Sequence, residues 1–202
     1  MIKRLGSTCA LLGLPALLLL GNGCGDDDGA PAPVDVTLIA SSSFWLTPAT
    51  GSLHYGTIIL GDDASDVGNR GGVGFSPGSI PAGATINSAT LRVYQLGDWG
   101  GYSLGPVLVD HIIWTSAPGD NFYDIAAEST LAAPLSTTSG EGWREVDVTA
   151  AFQQDVSASR LESSFRLRHE TEVSANGTAD YSTWSGDQAD TNKPELVVNY
   201  TP

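Results

Sequence analysis

From residue 34 onward, apolar and polar positions alternate in short runs rather than with a helical period. The clearest run is 89–94. Its odd-numbered residues are the apolar Ala89, Leu91 and Val93, and its even-numbered residues have polar or long side chains. A period of two places successive side chains on opposite faces of a strand. The pattern therefore predicts strands with one buried and one wet face.

Runs of similar character recur along the chain, separated by turn-rich segments. One short helix is predicted over 150–157, with Thr149 as its cap and Phe152 and Val156 four residues apart. Further strands are predicted at 34–39, 56–60, 106–114, 143–148, 165–169 and 196–200. These elements predict an all-β fold, a single antiparallel β-sandwich of jelly-roll type with one short helix.

The first 23 residues differ from the rest. Lys3 and Arg4 precede an apolar run at 10–20, which is shorter than the roughly 20 apolar residues that a membrane-spanning helix needs. Small residues and then Cys24 follow. The segment resembles the signal peptide of a bacterial lipoprotein, with Cys24 as the lipidated residue. The alternative is an ordinary secretory signal with a spare cysteine.

Three parts are therefore expected: a signal peptide at 1–23, an acidic Gly/Pro tether at 24–33 and a β-sandwich domain at 34–202. The tether contains the sequence GDDDGAPAP, which cannot pack and holds the domain away from a surface. We expect an exported monomer, lipid-anchored to the bacterial envelope at the outer membrane or cell surface. Its contact with the membrane would be through the anchor only.

The charge balance narrows the range of partners. The 202 residues include 23 acidic and 9 basic side chains, a formal net charge of −14. Such a surface repels a phosphate backbone, so nucleic acid is not expected as a partner.

Two segments carry a family resemblance. The first covers residues 79–94 and contains SIPAGATI at 79–86 and SATLRVY at 88–94. The second is PELVVNY at 194–200. Over residues 50–201 the chain resembles the DNRLRE domain family, close to carbohydrate-binding module family 96. The resemblance implies a jelly-roll β-sandwich on secreted or surface proteins. Some relatives bind acidic polysaccharide such as alginate.

Catalytic motifs are not convincing. Residues 74–78 match G-x-S-x-G, but turns and a strand follow where that motif needs a helix. The three histidines show no paired metal-binding spacing, and His111 follows Asp110 in a strand, so the two point to opposite faces. An enzyme is therefore not expected.

Aromatic side chains are the natural sugar contacts, because their faces stack on pyranose rings. Trp99 and Tyr102 lie in a glycine-rich loop, and Tyr181 and Trp184 form a second candidate group. For Trp99, packing against the end of the sandwich is the alternative.

Three arginines are candidates for binding an acidic glycan. Arg166 and Arg168 share one face of a strand, and Arg92 is placed beside them in this hypothesis. The alternative is that these arginines balance the carboxylate excess.

A structural calcium ion is the candidate cofactor, because calcium prefers several oxygen ligands on a flexible loop. The candidate ligands are Asp62, Asp63 and Asp66, in one turn. Asp187 and Asp190 form a second acidic loop with Asn192. The alternative is that acidic loops simply reflect the acidic composition.

Together these features predict a surface-tethered, non-catalytic binding module for carbohydrate or adhesion, with polysaccharide as the candidate partner. The alternative is a structural envelope or cell-surface protein that binds another protein and no glycan. An exposed aromatic pair beside polar groups favours the first, and an uncovered apolar patch or an open edge strand favours the second.

Overall fold

The computed structural model describes residues 30–48, 53–114 and 122–202. Residues 31–202 form one compact unit. The predicted signal peptide, Cys24 and the tether up to residue 29 lie outside the described residues. Residues 30–33 are exposed and have no regular structure.

Strands dominate the described chain, and its α-helix is α1 (Thr149–Ser157). The strands are β1 (Val34–Ile39), β2 (Ser42–Leu46), β3 (Leu53–His54), β4 (Ile58–Asp62), β5 (Gly68–Phe75), β6 (Thr85–Trp99), β7 (Val107–Ile112), β8 (Ser129–Thr130), β9 (Gly142–Asp147), β10 (Ser163–His169), β11 (Tyr181–Trp184) and β12 (Glu195–Thr201). The prediction of an all-β chain with one short helix is confirmed.

Each of these strands pairs with its neighbours in antiparallel fashion. The hydrogen-bonded order is β1-β12-β6-β11-β4-β5-β10-β7-β8, with β9 on β6 and β2 on β5 and β3. The first half of the sheet comprises β1, β12, β6, β9, β11 and β4, and the second half the remaining strands. The link between the two halves is the short β4–β5 pairing, Gly61 with Asn69 and Asp62 with Gly68. The strands therefore form one curled, jelly-roll-like sheet, where the sequence predicted two packed layers.

Both halves supply the main hydrophobic cluster, which fills the inside of the curl. Leu91 and Trp184 come from the first half, Val109 and Phe165 from the second, and all four are fully buried. Burying each large apolar side chain contributes about 1.5–3 kcal/mol, which holds the halves together. The period-two runs thus bury their apolar residues on this inner face.

A smaller cluster covers the outer face of the second half, around Phe44 of β2 and Ile112 of β7. Trp114 and Phe122, from the chain between β7 and β8, lie over it, with ring centroids 5.3 and 4.6 Å from that of Phe44. Gly72 is required here, because a Cβ would lie 2.5 Å from the Phe44 ring. The second half is therefore covered on both faces, while outward residues of β6 and β12 are partly exposed.

The helix begins at Thr149, so the prediction that this residue caps it is wrong. Val148 is the N-cap and makes no side-chain capping bond. The Thr149 hydroxyl instead accepts the N–H of Ala89 at 2.9 Å, which ties the helix to β6. The Asp147 carboxylate accepts the N–H of Thr149 at 2.8 Å. The Thr149 hydroxyl bond also lowers the pKa of Asp147.

Candidate functional site

A β-bulge in β6 decides which of its side chains reach the surface. β11 pairs Thr183 with Gly97 and Trp184 with Gln95, so Leu96 is an extra residue on β6. From Ala89 to Gln95 the odd-numbered residues of β6 are buried. After it the alternation is shifted by one residue, and the odd-numbered residues lie on the outer face.

Trp99 lies on this outer face with 54% of its surface exposed. Its ring stacks on that of Tyr181, with centroids 5.3 Å apart and an interplanar angle of 18°. Gly97 permits this, because a Cβ there would lie 2.7 Å from the indole. The indole therefore folds back over its own strand, and we call Trp99 and Tyr181 the aromatic pair.

The glycine turn after Trp99 holds this strand end against β11. Gly100 has a φ of 83° and forms a bridge to Tyr181. A Cβ on Gly100 would lie 2.3 Å from Oδ1 of Asp180, and one on Gly101 would lie 2.6 Å from the Tyr181 carbonyl carbon. Both positions therefore require glycine, the first for its backbone conformation and the second for close approach.

The inner side of the same two strands is a buried polar layer. Trp184 is fully buried, and its indole N–H donates to the Ser182 hydroxyl at 2.9 Å. The half-buried Tyr102 hydroxyl lies 2.7 Å from Ser136 Oγ and 3.0 Å from Gln95 Oε1. The prediction that Trp184 contacts sugar is wrong, because strand alternation turns it inward when Tyr181 points outward. Tyr102 likewise packs against the core rather than beside Trp99.

His169 lies in this layer beneath the glycine turn. Its Nδ1 is 2.9 Å from the Gly105 carbonyl and donates to it, while its Nε2 accepts the Ser182 hydroxyl at 2.9 Å. Burial lowers the pKa of His169, and the Gly105 carbonyl and Asp98 oppose that shift only in part. Among the described residues, Oδ1 of Asp98 and Nε2 of Gln95 are buried without a hydrogen-bond partner.

Arg166 and Arg168 share one face of β10, but both guanidinium groups are paired with a carboxylate of the protein. Both contact the buried carboxylate of Asp110 on β7, at 2.8 and 3.0 Å respectively. Burial alone would raise the pKa of Asp110, but hydrogen bonds from Thr130 and both arginines bring it below its usual value. Arg166 also donates to the Ile125 carbonyl at 2.8 Å. The prediction that these arginines face an acidic glycan is wrong, and we call Asp110, Arg166 and Arg168 the arginine cluster.

Arg92 does not lie beside them, because β6 belongs to the other half of the sheet. Its guanidinium pairs with Glu145 at 2.8 Å and Glu195 at 2.6 Å, and lies 4.6 Å from the centroid of the Trp143 ring. It therefore neutralises neighbouring carboxylates. The remaining arginines in the described chain are also bonded, namely Arg70, Arg144 and Arg160.

The three aspartates of the predicted calcium loop bind main-chain groups. The fully buried Asp62 accepts the N–H of Ser174 at 2.6 Å, and Asp66 accepts that of Gly177 at 3.0 Å. Asp63 accepts two N–H groups of its own turn. Across the described ranges, no three His, Cys, Asp or Glu side chains are grouped to hold a metal. The three carboxylates stabilise the loop instead of converging on an ion.

One buried cluster contains a serine, a histidine and an aspartate, the residue types of a catalytic triad, but its hydrogen bonds connect them in a different order. His111 Nε2 lies 3.0 Å from both oxygens of Asp155, while the Ser163 hydroxyl donates to Asp155 rather than to the imidazole. All three side chains are fully buried. A serine bonded in this way has no base to activate it and no route to a substrate, so the cluster joins β7, α1 and β10.

A cleft of about 490 Å³, which we call the polar cleft, opens beside the bulge of β6. Leu96, the bulge residue, lines it together with Thr57 and the loop that follows β11, which supplies Gln188, Asp190 and Asn192. The sequence marked Asp190 and Asn192 only as members of an acidic loop. Leu96 was missed because a bulge has no reliable sequence pattern.

A smaller cavity of about 210 Å³ lies beside the end of α1, between Ile80, Val156 and Leu161. Its walls are mainly apolar, and Arg160, its charged member, is bonded to Asp155 at 2.5 Å. Its uncharged polar side chains are Ser76 and Ser159, a smaller set than the amides, carboxylate and hydroxyl that line the polar cleft. The polar cleft is therefore the better candidate site.

No family model matches this chain, and no curated protein is significantly similar to it. The resemblance to the DNRLRE family therefore stands on the quoted segments alone, and function has to be argued from the site. Within the described part of the chain, no helix has the length and apolar character needed to cross a membrane.

Proposed function

We propose that the protein is an exported, lipid-tethered, non-catalytic module that binds polysaccharide through the aromatic pair. The observation that carries the proposal is the exposed stack of Trp99 on Tyr181, 5.3 Å apart at 18°. A flat aromatic surface open to solvent matches the apolar face of a pyranose ring, and contact between them removes both surfaces from water.

Polar groups border the aromatic pair. The two rings of the aromatic pair contact each other. Within the described chain, neither the Trp99 indole N–H nor the Tyr181 hydroxyl has a hydrogen-bond partner. Asp180 precedes Tyr181, and its Oδ2 accepts Nδ2 of Asn176 at 2.7 Å. These groups are suited to bind sugar hydroxyls at the edge of a stacked ring.

The charges near the aromatic pair favour a neutral polysaccharide. Asp98 and Asp180 adjoin the two rings in sequence, and the six arginines of the described chain are bonded elsewhere. An acidic glycan would meet the Asp180 carboxylate within a protein of net charge −14, while Asp98 points inward towards His169. This supports a neutral ligand over the acidic one suggested by the family resemblance.

A protein-binding role is the second candidate. The observation that favours it is β1, which lies at the end of the strand order with Val34 and Ile39 exposed. An edge strand of this kind offers unpaired main-chain groups to another chain.

A glycan array carrying neutral and acidic oligosaccharides tests the proposal. The parent should bind neutral glycans, and Trp99→Ala should weaken binding by about 1–3 kcal/mol, the scale of one aromatic contact. Trp143→Ala is the matched control, because Arg92 already covers that ring. A parent that binds no glycan would refute the proposal and favour protein binding. Equal losses in both variants would show that Trp99 has no special role.

A further inference from the structure

We propose that the polar cleft is a second subsite of the same surface, so that the ligand is a neutral oligosaccharide chain rather than one sugar ring. The inference rests on the proposed function of the aromatic pair. It adds the length of the ligand and the residues that recognise its far end.

The cleft and the aromatic pair share β6 as a common element. Leu96 lines the cleft, and Trp99 follows three residues later, a distance of about 10 Å along a strand. Because the Trp99 indole reaches back over Gly97, a sugar stacked on it lies beside the cleft, and the next sugar of the same chain can enter the cleft. The bulge is what exposes both ends, because it turns Gly97 and Trp99 to the outer face after the exposed Leu96.

The surface of β6 between Leu96 and Trp99 is occupied by the Trp99 indole, which folds back over Gly97. Gly97 has no side chain, and its neighbour Thr183 is almost fully buried. The Thr183 hydroxyl lies 3.6 Å from where a Cβ on Gly97 would stand. The indole therefore extends to the residue next to Leu96, and a chain stacked on Trp99 can continue into the cleft.

The cleft presents the groups that hydroxyls require. Gln188 and Asn192 contribute amides, Asp190 a carboxylate and Thr57 a hydroxyl. Throughout the described ranges these four side chains have no hydrogen-bond partner of their own. Its volume, about 490 Å³, falls within the usual range for small-ligand sites. Unpaired amides and a carboxylate around a half-apolar wall favour a neutral, hydroxyl-rich ligand.

Chain length is the variable that tests this inference. Isothermal titration calorimetry would compare the parent with oligomers of one to six residues in three neutral series: β-1,4-linked glucose, α-1,4-linked glucose and β-1,4-linked mannose. In the series that binds, affinity should rise about tenfold or more between the disaccharide and the tetrasaccharide, and then level off. The added rings are those that reach the cleft.

Variants locate that gain. Gln188→Ala/Asp190→Ala should bind the disaccharide like the parent but lose the extra affinity for the tetrasaccharide. The control Gln154→Ala/Asp124→Ala removes one exposed glutamine and one exposed aspartate elsewhere. It should behave like the parent at every length. Trp99→Ala should weaken binding at all lengths.

The outcomes separate the two proposals. Affinity that does not change beyond the disaccharide, or a cleft variant that keeps the full gain, would overturn the second subsite and leave the aromatic pair intact. Failure of all three series to bind the parent, or binding unaffected by Trp99→Ala, would overturn the proposed function and this inference with it.

Discussion

The arginine cluster and the aromatic pair both lie on outward faces of the same sheet, and both contain residue types that bind ligands. In the arginine cluster Asp110 is shared by two guanidinium groups at 2.8 and 3.0 Å, and Arg166 is buried. In the aromatic pair the two rings stack on each other, and Trp99 remains open to water while Tyr181 is half-buried. Side chains satisfied within the fold therefore stabilise it, while side chains left unsatisfied at the surface are available for binding.

The reason for the difference is the covering of the sheet. The chain around Phe122 lies over the second half, and its carbonyls at Tyr123 and Ile125 accept bonds from Arg166 at 3.2 and 2.8 Å. No comparable segment of the described chain lies over Trp99. Outward side chains of the second half are therefore buried under this covering segment, while the outward Trp99 of the first half is exposed to solvent.

Breaking the arginine cluster should have the largest effect on stability. Asp110→Asn leaves Arg166 buried without its counter-charge, which should lower the free energy of unfolding by about 3–5 kcal/mol. Urea denaturation measures the loss. Glu145→Gln is the control, since it removes a partner of the part-exposed Arg92 and should cost at most about 1 kcal/mol. Similar losses of unfolding free energy in both variants would show that the buried arginine cluster stabilises the fold no more than the part-exposed Arg92 ion pair does.

Acid should affect the two regions in different pH ranges. The folded pKa of His169 is lowered by burial, so the unfolded chain takes up the proton first once the pH falls below about 6.5. Stability should then decline by up to about 1.4 kcal/mol per pH unit. Asp110, whose folded pKa is also lowered despite its burial, should add its loss only below about pH 4.

Unfolding free energies of the parent and His169→Gln between pH 3 and 8 test this sequence of events. The variant should lack the decline that His169 causes below about pH 6.5, and should still lose stability below about pH 4, where Asp110 is protonated in the unfolded chain. Parallel curves throughout would show that folding does not change the pKa of His169.

The smallest effect is expected at the aromatic pair. Trp99→Ala should change the free energy of unfolding by less than about 1 kcal/mol, because the indole is exposed. Trp184→Ala, on the opposite face of the neighbouring strand, should cost about 3–5 kcal/mol. Thermal or urea unfolding of both variants provides the measurement. A large loss of unfolding free energy in Trp99→Ala would show that Trp99 stabilises the fold and is not free for binding.

Much of the fold follows from local pattern. The period-two runs of β6 and β12 appear as strands, and Phe152 of the predicted helix is buried against the core. The exposure of Trp99 also agrees with its glycine-rich neighbours. The partner of Trp99 could not be predicted, because Tyr181 is distant in sequence and meets it only through the pairing of β6 with β11. Tyr102, closer in sequence, turns inward.

The amino-acid pattern was enough to predict the class of elements, because hydrophobic periodicity and turn residues act over a few neighbouring positions. It was also enough to show the acidic character that disfavours anionic partners. Which side chains are free depends on the folded chain. Asp110 occupies Arg166 and Arg168, main-chain N–H groups occupy Asp62, Asp63 and Asp66, and a one-residue bulge turns Trp99 outward. The bonds of Asp63 lie within its own turn. The others depend on contacts between segments far apart in the chain or on a shift of one residue in pairing, and neither leaves a local pattern to read.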